Sequence, residues 1–138
     1  MKRNEPIFDR HRTPPARLRK ILVVDDDSAG ADSLAFMLSH GGYQTRVAYS
    51  GKEAIQGAKE FEPDMLISDV RMPEIDGIQV AVEISKLFPP CRVLLFSGDV
   101  ESRLLIEDCR TKGYNFEFFE KPLHPQELMS KLKFALPQ

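Results

Sequence analysis

ILVVDDD, residues 21–27, carries four apolar residues straight into three consecutive carboxylates. The apolar run is continuous rather than alternating, which suits a strand covered on both faces. Three acids at the mouth of such a strand repel one another, so something positive has to hold them there. Two further runs have the same character and the same polar ending: MLI at 65–67 leads into Ser68 and Asp69, and VLLF at 93–96 leads into Ser97. The problem posed at residue 25 therefore recurs along the chain, and its solution depends on how the strands are ordered.

Between the apolar runs the spacing turns helical. Ala31, Leu34, Ala35 and Leu38 keep the i, i+3, i+4, i+7 pattern ahead of Gly41-Gly42, a C-cap signal. Ser50-Gly-Lys-Glu53 reads as a capping box before Ala54, Ala58 and Phe61. Gly77 opens a helix through Ile78, Ala81, Val82 and Ile84 that must end before Pro89-Pro90. Asp99 can cap a segment bearing Val100, Leu104 and Ile106 that closes near Gly113, and Pro125 suits the first position of a last helix through Leu128, Leu132 and Ala135. With the alternating YQTRVAY at 43–49 and a short strand around Phe116, Phe118 and Phe119, strands and helices alternate strictly, five of each. This predicts an α/β fold, a flavodoxin-like doubly wound (βα)5 unit with a parallel sheet in the order 2-1-3-4-5. Its ligand crevice lies beyond the carboxyl ends of strands 1 and 3, where Asp25, Asp26 and Asp69 fall.

Length and composition are compatible with one domain: 138 residues, 42% of them hydrophobic, support a single core without staples. Cys91 and Cys109 match neither a CxxC metal site nor a disulfide framework, so reduced thiols in a cytoplasmic setting are expected. No run of 18 apolar residues occurs, and the N-terminus lacks a signal peptide's apolar core. Residues 1–20 hold seven Lys/Arg against two acids. With Pro14-Pro15 and few apolar residues, 1–19 reads as a basic, disordered arm ahead of a domain over 20–138. The remainder is net acidic, which argues against a nucleic-acid-binding surface on the folded part, and no membrane contact is expected of it.

Carboxylates converging at about 5 Å repel by roughly 3 kcal/mol per pair at an effective dielectric near 20. A divalent cation turns that penalty into a binding site, and oxygen donors without His or Cys favour magnesium. Strand 4 brings the Ser97 hydroxyl to the same edge, and strand 5, ending FFEKP, brings the Lys121 ammonium. A hydroxyl donor, an ammonium and a metal around one central carboxylate suit a phosphoryl group carried on it. Asp69 is the nucleophile in this reading, with Asp25 and Asp26 serving the metal.

The motifs VVDDD at 23–27, SDVRMPEIDG at 68–77, FSG at 96–98 and EKP at 120–122 are together highly specific. Over residues 20–136 the chain resembles the receiver domain of two-component response regulators (the CheY-like family). The resemblance implies that Asp26 and Asp69 bind Mg2+ directly, Asp25 through water, and that the backbone carbonyl of Arg71 adds a ligand. It implies that Asp69 takes phosphate from a sensor histidine kinase or a histidine phosphotransfer protein, that Ser97 then reorients to the phosphoryl oxygens, and that Lys121 pairs with them. The aromatic three positions before Lys121, which swings inward in the family, is Phe118; many members have Tyr there, and Phe brings no hydroxyl. It also implies a downstream effector, with a phosphorylation-dependent homodimer as a further expectation, and a response surface on helix 4, strand 5 and helix 5. A Lys121-Pro122 bond in the cis form is common in the family.

Other residues read as scaffold. Asp27 supplies charge or a cap at a helix start. Pro73 stiffens the loop after Asp69, Gly77 allows close approach or unusual backbone angles, and Met72 packs the loop. His11, His40 and His124 share no metal spacing. Arg71 and Asp99 are expected to pair and partly cover Asp69, slowing attack by water on its acyl phosphate. Two competing functions differ in testable features. A magnesium-dependent phosphohydrolase would need a second Asp where Arg71 stands. A degenerate receiver that only binds partners would ordinarily have lost an acid or the Lys. The chain reads as a stand-alone receiver or a piece of a longer regulator, with chemistry confined to its own Asp69.

Overall fold

The computed structural model describes residues 19–122 and 124–135. Nearly all of the expected basic arm, and the last residues of the expected domain, lie outside them. The elements alternate as β1 Lys20–Val24, α1 Ser28–His40, β2 Gln44–Ala48, α2 Gly51–Phe61, β3 Met65–Asp69, α3 Gly77–Leu87, β4 Arg92–Ser97, α4 Val100–Thr111, β5 Glu117–Glu120 and α5 Pro125–Ala135. The sheet is parallel throughout and ordered β2-β1-β3-β4-β5. This is the flavodoxin-like arrangement the sequence predicts.

Continuous apolar strands feed two cores, one on each face of the sheet. Ile21, Val23, Met65, Ile67, Leu94 and Phe96 pack with Ala31, Ala35 and Leu38 of α1 and with Leu128 and Leu132 of α5. Leu22, Val24, Leu66, Val93 and Leu95 point the other way, onto Ala54 and Ala58 of α2, Val80, Ala81 and Ile84 of α3, and Ile106 of α4. Each of the larger side chains contributes about 1.5–3 kcal/mol by leaving water, which is why the three central strands cannot tolerate the polar alternation of a one-sided sheet. Their polar residues are therefore pushed to the strand ends. Among the described residues no helix is long and apolar enough to cross a membrane.

Helix ends follow local chemistry, with two departures from expectation. Asp27 does occupy the N-cap position of α1, yet its carboxylate accepts no cap hydrogen bond; its amide donates to Asp25 Oδ1 at 3.0 Å instead. At α2, Ser50 Oγ accepts from the Glu53 amide as expected, but the Glu53 carboxylate reaches one residue further back, to the Tyr49 amide at 3.0 Å. The reciprocal capping box is at α3, where Asp76 accepts from the Gln79 amide and the Gln79 side chain accepts from the Asp76 amide. Asp99 caps α4 as expected, accepting from the Ser102 amide at 2.7 Å.

Candidate functional site

Sheet order and register assemble the site. β1 lies beside β3 with Val24 opposite Ser68, so the next residues outward, Asp25 and Asp69, leave the sheet side by side. Carboxylate oxygens of Asp25, Asp26 and Asp69 lie within 4.8 Å of one another. On the other side of β3, β4 ends at Ser97, and the Lys121 amide donates to the Ser97 carbonyl at 2.8 Å, which ties the end of β5 to the end of β4. Lys121 then reaches across β4: its Nζ donates to Asp69 Oδ2 at 3.0 Å. The Lys121-Pro122 peptide is cis.

Asp69 is held from beneath by its neighbours. The Val70 amide donates to the Phe96 carbonyl, the Gly77 amide to the Val70 carbonyl, and Ser68 Oγ to the Asp69 carbonyl at 2.9 Å. Gly77 sits so close that an added Cβ would fall 2.0 Å from the Asp69 carbonyl oxygen. Of the two roles expected for this glycine, close approach is the operative one. Its neighbour Asp76 starts α3, so the helix start and Asp69 are a single packing unit.

Electrostatics agree with a cation seat. Burial raises the Asp25 carboxyl above its ordinary range; the Asp27 amide opposes this, the Asp69 charge adds to it, and Lys121 opposes it again. The Lys121 ammonium offsets part of the repulsion, but one ammonium does not balance three carboxylates. A donor set of carboxylate oxygens, some buried and some at the solvent edge, is the set a hard divalent cation takes, so the residues present fit magnesium.

Two residues expected to act with Asp69 make their contacts elsewhere. Ser97 is buried, and its Oγ donates to the Asp99 carbonyl at 3.3 Å rather than to Asp69. Phe118 is half-buried on the α3 and α4 side of the sheet, opposite Leu95, with the Arg110 guanidinium 5.3 Å over its ring. Phe119 points the other way, onto Phe96 and under Lys131. The expected Arg71 and Asp99 pair is present at 3.5 Å, and a second acid not anticipated from the sequence, Glu101, takes the same Arg71 Nη1 at 3.1 Å. Ser102, first through its amide, holds the Asp99 carboxyl below the usual range, helped by the Arg71 and Lys121 charges. His40 lies against Phe36 on α1, and His124 precedes α5; neither is among the clustered ligands.

A doubly wound sheet with clustered acids at the ends of its first and third strands and a lysine from its fifth defines a class of acidic-pocket α/β domains. Comparison with known families gives the particular one: residues 21–133 match the response regulator receiver domain, and the chain belongs to that family. Solved structures agree. A two-component transcriptional regulator from Clostridium phytofermentans ISDg is 35% identical, covering 86% of this chain and 92% of its own, with a TM-score of 0.74. A putative response regulator from Chloroflexus aurantiacus J-10-fl is 32% identical over 88% of this chain and 100% of its own, also at 0.74. A receiver domain from Clostridium thermocellum is 30% identical over 86% and 94% at 0.77.

Proposed function

We propose that this receiver is an active phosphoacceptor, with Asp69 as the phosphorylated residue and a histidine kinase or histidine phosphotransfer protein as the donor. The observation that carries the reading is the convergence of Asp25, Asp26 and Asp69 within 4.8 Å with Lys121 Nζ 3.0 Å from Asp69 Oδ2. An Asp69 oxygen attacks the phosphorus of a phosphohistidine; the O–P bond forms as the P–N bond breaks, and the electron pair leaves on the imidazole nitrogen, which takes up a proton. Loss of the phosphoryl group is attack by water on the same phosphorus, returning the carboxylate and inorganic phosphate.

Asp26 and Asp69 would hold Mg2+ directly, Asp25 through water, and the Arg71 carbonyl would complete the protein ligands. The ion would supply positive charge to the phosphoryl oxygens. Lys121 moves from the Asp69 carboxylate to the phosphoryl oxygens, and Ser97 turns its hydroxyl from the Asp99 carbonyl to the same group. Phe118 follows into the space that Ser97 vacates, by apolar packing alone. The face of α4, β5 and α5, where Val100 and Leu104 are exposed and Arg103 meets Glu120 at 3.6 Å, then changes affinity for an effector or for a second copy of the chain. Cys91 and Cys109 are free and buried, which suits a reducing cytoplasm.

Beryllofluoride with magnesium, followed by amide NMR on wild type and Asp69→Ala, tests this. Shifts at the ends of β1, β3 and β4 in wild type only are expected; no response in wild type would leave a receiver that acts by binding partners alone.

A further inference from the structure

The connection from β4 to α4 is short, and Asp99 is its node. Its carboxylate caps α4 through the Ser102 amide at 2.7 Å and faces Arg71 Nη1 at 3.5 Å. Its carbonyl accepts from Ser97 Oγ at 3.3 Å and from the Arg103 amide at 3.4 Å. Arg71 reaches one step further, to Glu101 in the first turn of α4, at 3.1 Å. A single guanidinium two residues beyond Asp69 thus straps the loop after β3 onto the start of α4.

That strap matters because α4 has a shallow hold on the domain. Its buried residues are Ser102, Ile106 and Cys109, only one of them a large aliphatic, while Val100 is 70% and Leu104 is 64% exposed. α3, by contrast, buries Val80, Ala81 and Ile84 together with Gly77. An element with little apolar burial sits at the low-stability end of a domain, and its local ties decide how often it opens.

We infer that Arg71 is an electrostatic strap on the first turn of α4, released when Asp69 carries a phosphoryl group; the inference rests on the phosphoacceptor reading above. An aspartyl phosphate places close to two negative charges near Arg71, with oxygens suited to a guanidinium fork. Asp99 and Glu101 then compete for Arg71 with a stronger anion. In the same event Ser97 Oγ leaves the Asp99 carbonyl, so Asp99 loses two of its partners together. Without Arg71 between them, Asp99 and Glu101 also repel each other at the start of the helix. The first turn of α4 loosens, and exposed Val100 and Leu104 move with it. Phe118, lacking a hydroxyl, has no hydrogen bond to exchange, so this ionic route supplies a coupling to α4 that the aromatic cannot.

Hydrogen exchange of the Ser102 and Arg103 amides, whose hydrogen bonds end on Asp99, reads the strap. Magnesium and beryllofluoride serve as the probe, with uptake followed separately by the 19F signal of the bound fluoride. Glu101→Gln removes one anchor without touching Asp99, Ser97 or the site. In the absence of beryllofluoride, Glu101→Gln is expected to speed exchange of both amides about threefold, the size of an exposed ion pair. Beryllofluoride should speed them at least as much in wild type and add less in the variant. Equal exchange in wild type with and without bound fluoride, or an undiminished response in Glu101→Gln, overturns the strap while the phosphoacceptor reading stands. Absence of bound fluoride in wild type overturns both.

Discussion

Gly77→Ala is the substitution through which the fold acts most directly on the site. The new Cβ would lie 2.0 Å from the Asp69 carbonyl oxygen, 2.9 Å from its carbonyl carbon and 3.0 Å from Ser68 Oγ. The first two are backbone atoms in a central strand, so no side chain can swing aside. To reach ordinary contact the start of α3 must withdraw from β3 by more than about 1 Å, in a core packed like a crystal. Overpacking of this kind costs about 1–3 kcal/mol, and the hydrogen bond from the Gly77 amide to the Val70 carbonyl, 2.8 Å here, is worth about 1 kcal/mol more. A loss of roughly 2–4 kcal/mol is therefore expected in urea unfolding, a large part of the stability of a domain this size. Because the displaced atom belongs to Asp69, magnesium affinity should fall in the fraction that still folds. Gly113→Ala is the control: Gly113 has φ +95 but open space where a Cβ would go, so it should cost about 1 kcal/mol from backbone conformation alone and leave magnesium binding unchanged. A change below about 0.5 kcal/mol for Gly77→Ala, or equal effects of the two substitutions on magnesium, would refute the packing argument.

The acids at 25–27 should separate on titration. Asp26→Asn should weaken magnesium binding by about 1.4–2.8 kcal/mol, roughly tenfold to a hundredfold, whereas Asp27→Asn should change it less than about twofold in the same NMR titration. Arg71→Ala should hasten decay of the phosphorylated protein about threefold, since the guanidinium released from Asp99 then lies over the phosphoryl group in an exposed contact worth under about 1 kcal/mol; an unchanged rate removes the shielding role of Arg71. Cys91, whose thiol is pushed up to about 12 by burial, should resist thiol reagents at pH 8, where only about one molecule in ten thousand is thiolate, and react once urea unfolds the domain. Because the folded pKa is raised, the Cys91 contribution to stability is complete below the free-thiol value of 9.0 and is lost as pH climbs toward about 12; a Cys91→Ala variant should lack that part of the alkaline decline.

The residues differ in how openly they announce their place. ILVV, MLI and VLLF are legible because burial on both faces leaves no room for alternation, and that alone orders the acids at neighbouring strand ends. Lys121 is legible by its position, being the first residue beyond β5. Asp27 stands at the helix start, where the sequence places its charge or a cap, and of the two only the charge is delivered: its carboxylate accepts no cap hydrogen bond, and its amide donates to the Asp25 carboxylate. The second arm of the Ser50 box shifted by one residue because Glu53 is long enough to reach either amide, and chain geometry selects Tyr49. The Asp76 to Gln79 box was readable by its spacing and lay hidden only behind the stronger turn signal of Asp76-Gly77. Glu101 could not be assigned to Arg71 in advance, since an exposed acid in a first helical turn already has a sufficient reason to be there.

The most direct test of the central claim is intact mass after incubation with acetyl phosphate and magnesium. Wild type should gain a single phosphoryl group that decays on standing, with no gain in Asp69→Ala and none when magnesium is chelated. Equal gain in wild type and Asp69→Ala, or no gain in wild type, would contradict phosphorylation at Asp69.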